Sequence, residues 1–288
     1  MAEAETFAQA PDIAFPNSLE EALSILGLYP GDARIVGGAT WLMREDKQPS
    51  ILVSLARIAQ IDDIVEQEND WTIGPMVTHE ALARHFSLKG PFRVLGQAAG
   101  ASANPGVRRL ATLAGNIATG DFAAADLVPA LIALDASVMI AEDDGTTELT
   151  ILDFLDKRMT WPGPLIITGI KIEETECLSA HARLTLRRAG EYPVAIVSLA
   201  ATLSRDRRIE TLRIAVGSVE QTAGRWTQLE KQLIGQTFDL GEIETAAKDN
   251  LGAFSARDGA DAPSWYRLEI LPHLVRTAFA EIEKQAQG

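Results

Sequence analysis

The chain of 288 residues has one cysteine, Cys177. A disulfide within the chain is impossible, and so is an iron–sulfur cluster ligated by this chain's thiolates alone. Histidine is sparse too. His79, His85, His181 and His273 are scattered and lack the paired spacing of a metal site. Positive charge is in the minority, with 26 Lys and Arg against 40 Asp and Glu and a net charge of −14. The short basic runs Arg108–Arg109, Arg187–Arg188 and Arg205–Arg208 never extend into a stripe. Each reads as a solvated face, and a nucleic-acid footprint is excluded. The longest apolar run, Leu127 to Ile140, contains Pro129 and Asp135 and is too short to span a bilayer. The opening Met1-Ala-Glu-Ala-Glu is acidic where a secretory signal would be basic. The expectation is a soluble, cytoplasmic protein with no membrane span and no nucleic-acid partner.

Apolar residues make up 47% of the chain, enough at this length for two or more packing units. Ser18 starts a helix, with Glu20 and Glu21 at its positive end and Leu19, Leu23 and Leu26 at helical spacing. Ala33–Val36 and Ile51–Leu55 read as strands, Ile61–Met76 as a hairpin, and Thr78 and Pro91 as helix starts. Residues 104–126 are rich in Gly, Ala, Thr and Asn and almost uncharged after Arg109. Such a stretch suits a segment packed against something bulky. Asp126–Leu134 then reads as a helix, and Ser137–Ala141 and Leu165–Ile172 as strands, with Asp143-Asp144 in a turn. Near residue 175 the style changes. Arg183–Arg188, Ala195–Ser204 and Ile209–Val216 alternate as antiparallel strands, and Thr222–Ile234, Gly241–Leu251 and Ser264–Glu283 read as helices. The expected division is 1–175 and 176–288.

Two segments could hold a ligand. Ile35-Val-Gly-Gly-Ala-Thr-Trp41 runs a strand into paired glycines and a hydroxyl residue. Glycines let backbone bend and come close to a ligand, and freed N–H groups can face phosphate oxygens. A side chain at Gly38 would then occupy phosphate space. Alone, the motif is more simply a tight turn. Ala111-Thr-Leu-Ala-Gly-Asn-Ile-Ala-Thr-Gly-Asp121 again offers small residues, two threonines and an amide, or else a buried glycine turn. Asp126 could accept a hydrogen bond from a ribose or ribityl hydroxyl, or serve only as an N-cap. No Gly-x-Gly-x-x-Gly joins a strand to a helix, and no lysine-bearing P-loop occurs. Two neutral loops could still clasp one diphosphate through backbone N–H groups. No nucleophile–base pair stands out. Cys177 reads as an incidental thiol in a polar linker, His79 as structural, and Trp41 as a ring that could stack or line a cleft.

Together these segments resemble the FAD-binding medium subunit of the molybdenum hydroxylases, the family of carbon monoxide dehydrogenase and xanthine dehydrogenase. The likeness covers almost the whole chain. It runs through Phe15-Pro-Asn-Ser-Leu-Glu-Glu-Ala-Leu, Val36-Gly-Gly-Ala-Thr and Trp71-Thr-Ile-Gly-Pro-Met-Val-Thr-His. The strongest stretch is Ala103 to Ala136, and Arg187-Arg-Ala-Gly-Glu-Tyr-Pro and Ser264-Trp-Tyr-Arg follow. Ala114 stands where glycine is common, Trp41 is bulky for its place, and the approach from Asn116 to Asp126 is lengthened.

The resemblance implies an α+β chain. A two-part FAD-binding domain of the vanillyl-alcohol-oxidase/PCMH type, split near 56, would precede a C-terminal antiparallel sheet with helices. It implies FAD on this chain. Ile35, Val36, Gly37, Gly38, Ala39, Thr40 and Trp41 would face the diphosphate with Thr112, Leu113, Ala114, Gly115 and Asn116. Thr119 and Gly120 would lie alongside, Asp126 near the ribityl–ribose region, and Ile166, Arg187 and Tyr192 near the flavin. It further implies two partners, a large molybdopterin subunit and a small [2Fe–2S] subunit, assembled as a dimer of heterotrimers. Electrons would pass from the molybdenum centre through the clusters to FAD and on to a terminal acceptor. The alternatives are a stand-alone flavin oxidase or reductase of the same fold, or a non-catalytic assembly subunit.

Overall fold

The computed structural model describes residues 10–44, 48–87, 90–186 and 192–287. Three sheets succeed one another along the chain. The first is parallel: β1 (Asp12–Ala14), β2 (Ala33–Val36) and β3 (Ile51–Ser54) lie in the order β1-β3-β2. Helix α1 (Leu19–Leu28) precedes β2, and the Ser18 hydroxyl caps it by accepting from the Glu21 N–H at 3.1 Å. Ala22, Leu23, Val53 and Leu55 form a small core with Ala141 and Ile166 of the next unit.

The second sheet is antiparallel. It contains β4 (Ile64–Glu66), β5 (Asp70–Ile73), β6 (Ser137–Glu142), β7 (Gly145–Thr150) and β8 (Ile166–Glu173), in the order β4-β5-β8-β6-β7. Asp143 and Asp144 make the turn between β6 and β7, as expected. Between β5 and β6 the chain forms α2 (His79–Phe86), α3 (Arg93–Ala101), α4 (Pro105–Arg108), α5 (Leu113–Ala118) and α6 (Leu127–Ala133), and α7 (Ile151–Lys157) follows β7. The stretch without periodicity thus holds the short helices α4 and α5.

The third sheet is also antiparallel: β9 (Leu178–Thr185), β10 (Pro193–Leu203), β11 (Ile209–Gly217) and β12 (Gly224–Arg225), in the order β12-β11-β10-β9. Helices α8 (Thr227–Leu233), α9 (Leu240–Asp249), α10 (Ser264–Glu269) and α11 (Leu271–Gln287) complete it. Two sequence expectations change here. Residues 222–226 are not helical, because β12 pairs with β11 before α8 begins. The helix expected over Ser264–Glu283 is broken at Ile270, since Pro272 has no N–H to continue α10.

Helix α6 joins the units. All seven of its residues are buried, because it contacts β10 and β11 on one side and α3, α5 and α7 on others. A helix apolar on every side belongs in the middle of a molecule. For the same reason β10 does not alternate: Pro193 through Ala201 are all buried, with α11 and α6 both packed on this strand.

Candidate functional site

One cavity of about 1480 Å³ lies where these units meet. Its wall takes in the turn after β2, the segment from Ser102 to Asp126, the start of β8, Tyr192, and Ala260 with Asp261. The sequence-predicted residues Ile35, Gly37, Gly38, Ala39, Thr40 and Trp41 line it, as do Thr112, Ala114, Gly115, Asn116, Thr119, Gly120, Asp126, Ile166 and Tyr192. Val36 and Leu113 are not in the lining. Val36 follows the lining residue Ile35 in β2, where successive side chains alternate. Leu113 is fully buried in the core of the second unit. Arg187 lies outside the described residues.

The two loops differ in their backbone. Among the described residues, the N–H groups of Gly38, Ala39, Thr40 and Trp41 meet no acceptor. Ala39 sits at φ 56°, in the left-handed region, as the chain turns there. In the second loop the N–H groups from Leu113 to Asn116 are taken up, partly by the segment before α2. Leu113 N–H donates to Val77, Ala114 N–H to Pro75 and Asn116 N–H to Thr112, at 2.9, 3.0 and 3.0 Å, and Gly115 N–H donates to Thr112 Oγ1 at 3.2 Å. The first loop therefore offers amide donors, and the second offers small side chains over a fixed frame.

The loops are pressed together at their glycines. A Cβ on Gly38 would lie 1.7 Å from the Leu110 carbonyl oxygen, and one on Gly37 would lie 2.7 Å from Thr112 Oγ1. Gly38 is thus required by the second loop's backbone, which corrects the expectation that a side chain there would meet a phosphate.

Asp126 is buried and stands at the N-cap of α6 without capping it. Asn116 does so instead, its Oδ1 accepting from the Leu127 N–H at 3.2 Å. The Asp126 carboxylate meets Arg183 Nε of β9 at 2.9 Å. Burial pushes its pKa up to about 7, against the pull of that guanidinium. His181 lies behind, its Nε2 3.9 Å from Asp126 and its Nδ1 2.9 Å from Ser198 Oγ, and burial lowers it to about 3.

Sequence reasoning missed several lining groups. His79 is buried in the wall, with Nδ1 2.7 Å from Ser102 Oγ. Burial lowers its pKa to about 4, so the ring is neutral. Phe122, Met159 and Asp261 also line the cavity. Arg267 holds Asp261 at 2.7 Å and donates to the carbonyls of Val194, Ser218 and Arg257 at 2.6, 3.1 and 3.1 Å. The Ser264-Trp-Tyr-Arg motif was visible, but the carbonyls of Val194 and Ser218 that its arginine reaches lie far off in the chain.

The model for the FAD-binding domain in molybdopterin dehydrogenases matches residues 7–172. The chain belongs to this family of FAD-binding oxidoreductase subunits. A second model, for the C-terminal domain of carbon monoxide dehydrogenase flavoproteins, matches residues 181–282. The FAD-binding family member described here is 25% identical to the glyceraldehyde dehydrogenase medium chain of Sulfolobus acidocaldarius, covering 92% of this chain and 95% of the relative. It is 27% identical to the nicotine 6-hydroxylase medium subunit of Paenarthrobacter nicotinovorans, covering 93% and 95%. Its fold is that of a chain in quinoline 2-oxidoreductase from Pseudomonas putida 86, with a TM-score of 0.88, 23% identity and coverage of 97% and 99%. Among the described residues no helix is long and apolar enough to cross a membrane, and no His, Cys, Asp and Glu cluster could hold a metal.

The cavity of this FAD-binding subunit fits FAD on its own chemistry. Unpaired amides suit an anionic diphosphate, and a buried carboxyl suits a sugar hydroxyl. The neutral donors match a site without a P-loop lysine.

Proposed function

We propose that this chain is the electron-relay subunit of a molybdenum hydroxylase complex. It holds FAD and takes electrons from [2Fe–2S] clusters on a small partner subunit, while a large molybdopterin subunit oxidises the substrate. The assembly is a dimer of heterotrimers in the cytoplasm. The observation that carries the reading is the cavity's row of amides from Gly38 to Trp41, which meet no acceptor among the described residues, opposite a second loop whose Leu113–Asn116 amides are taken up. The relatives' names as medium chains and subunits support partners for this chain. The change from the second apolar core to the third supports the division at 175, and the small first core, centred on Ala22, Leu23 and Val53, supports a subdivision near 56 although it extends to Ile61, Ala141 and Ile166.

FAD, when bound, supplies the electron-carrying chemistry. The chain's residues do the rest. Ala39, Thr40 and Trp41 donate backbone N–H groups to the diphosphate, with Gly37 and Gly38 setting the turn. Thr112, Ala114, Gly115, Asn116, Thr119 and Gly120 form the facing wall. Asp126, fixed by Arg183, receives a sugar hydroxyl, and Ile166 and Tyr192 border the flavin.

The test is the purified chain itself. It takes up stoichiometric FAD, shown by its visible absorbance, and the substrate of the complex reduces that flavin only when both the molybdopterin and the [2Fe–2S] partners are present. A colourless chain that takes up no FAD would overturn the reading. Reduction by a small organic substrate with this chain alone would make it a stand-alone flavin enzyme.

A further inference from the structure

Trp41, at the end of the first loop, and the segment that leads from α5 to Asp126 meet in space. That segment carries Phe122, whose ring centroid lies 4.6 Å from that of Trp41. Phe122 in turn stands edge-on to Tyr192 at 5.1 Å, and Trp41 lies 6.5 Å from Tyr192. Arg44, one turn beyond Trp41, places its guanidinium 6.0 Å from the Trp41 ring centroid and 5.9 Å from that of Tyr192. It also donates to the Tyr192 hydroxyl. All four groups line the cavity and come from three separate segments. Tyr192 is 41% exposed, so these contacts are what hold its ring in one orientation.

We propose that Trp41 is a positioning residue: through Phe122 and Arg44 it seats Tyr192 in the cavity wall, and this clasp sets how fast a planar ring of FAD leaves. The inference rests on the FAD reading above.

The experiment follows FAD release from the full chain by flavin emission. Trp41→Leu speeds dissociation about three- to tenfold, the loss of an aromatic contact. Trp41→Phe stays near wild type. Tyr192→Leu reproduces the effect, and the double variant is no faster than Tyr192→Leu, because both remove one contact. Phe122→Leu keeps apolar volume and gives the same acceleration if Trp41→Leu does not fold. The series repeated with FMN and with ADP assigns the ring, isoalloxazine or adenine. Wild-type dissociation in folded Trp41→Leu overturns the inference alone, as do multiplying effects in the double variant or a loss seen with neither FMN nor ADP. A wild-type chain that binds no FAD overturns the functional reading and this inference together.

Discussion

A Cβ at position 38 would lie 1.7 Å from a backbone oxygen, and one at position 120 would lie 1.9 Å from Met159 Sδ. The first obstacle is the fixed frame of the second loop. The second is the far end of a flexible side chain that is largely exposed. Gly38→Ala is expected to cost about 3 kcal/mol and to lose FAD, whereas Gly120→Ala keeps both fold and cofactor. Thermal melts and flavin absorbance check the pair. Asp126 gives a prediction in pH. Its pKa is about 7 when folded, against an ordinary value of 3.8. The folded chain therefore holds a proton that the unfolded chain has released. The stability this contributes is complete below pH 4 and is lost as pH rises through 7. The apo chain's melting temperature, taken relative to Asp126→Asn, should fall across that interval. The paired glycines were legible because glycine marks backbone constraint. Which surface demanded Gly38 was not, since Leu110 is distant in sequence.

Among the elements, α6 shows how far pattern reading reaches. Its apolar run announced a buried helix, and Asp126 looked like its cap. The cap is Asn116, eleven positions before Leu127, whose N–H it accepts. Asn116→Ala should cost about 1 kcal/mol in urea unfolding and slacken the wall that follows α5. Helices α4 and α5 were illegible because 4 and 6 residues are too few to show a period. The strands of the third sheet were read correctly in number and sense up to β11, because β-branched and apolar residues cluster there. Their depth was missed, since β10 is covered by helices drawn from two units.

At the scale of the whole molecule, Arg267 is the tie to test. Its side chain is fully buried and holds Val194, Ser218, Arg257 and Asp261 together. Arg267→Ala takes this donor from the Val194 and Arg257 carbonyls, leaves Ser218 and Asp261 to Arg257 alone, and should cost about 3–5 kcal/mol, seen in thermal melts. Arg267→Lys should rescue little, because an ammonium cannot span the fork. The family's overall architecture was legible in the order of motifs along the chain. The far wall of the cavity was not, because Ala260 and Asp261 are placed by Arg257 and Arg267, whose contacts to Val194, Ser218 and Val219 are distant in sequence.

The cavity as a whole draws on all three apolar cores at once: Ile35 and Leu55 from the first, Ala114 and Ile167 from the second, and a loop held against the third. A nucleotide seated there acts as a fastener driven through separate plates. Loosening any one plate frees it, so the ratio of flavin to protein in a preparation measures the integrity of the entire chain. Loading should also merge staggered melting of the units into a single transition, with calorimetric and van't Hoff enthalpies drawing together.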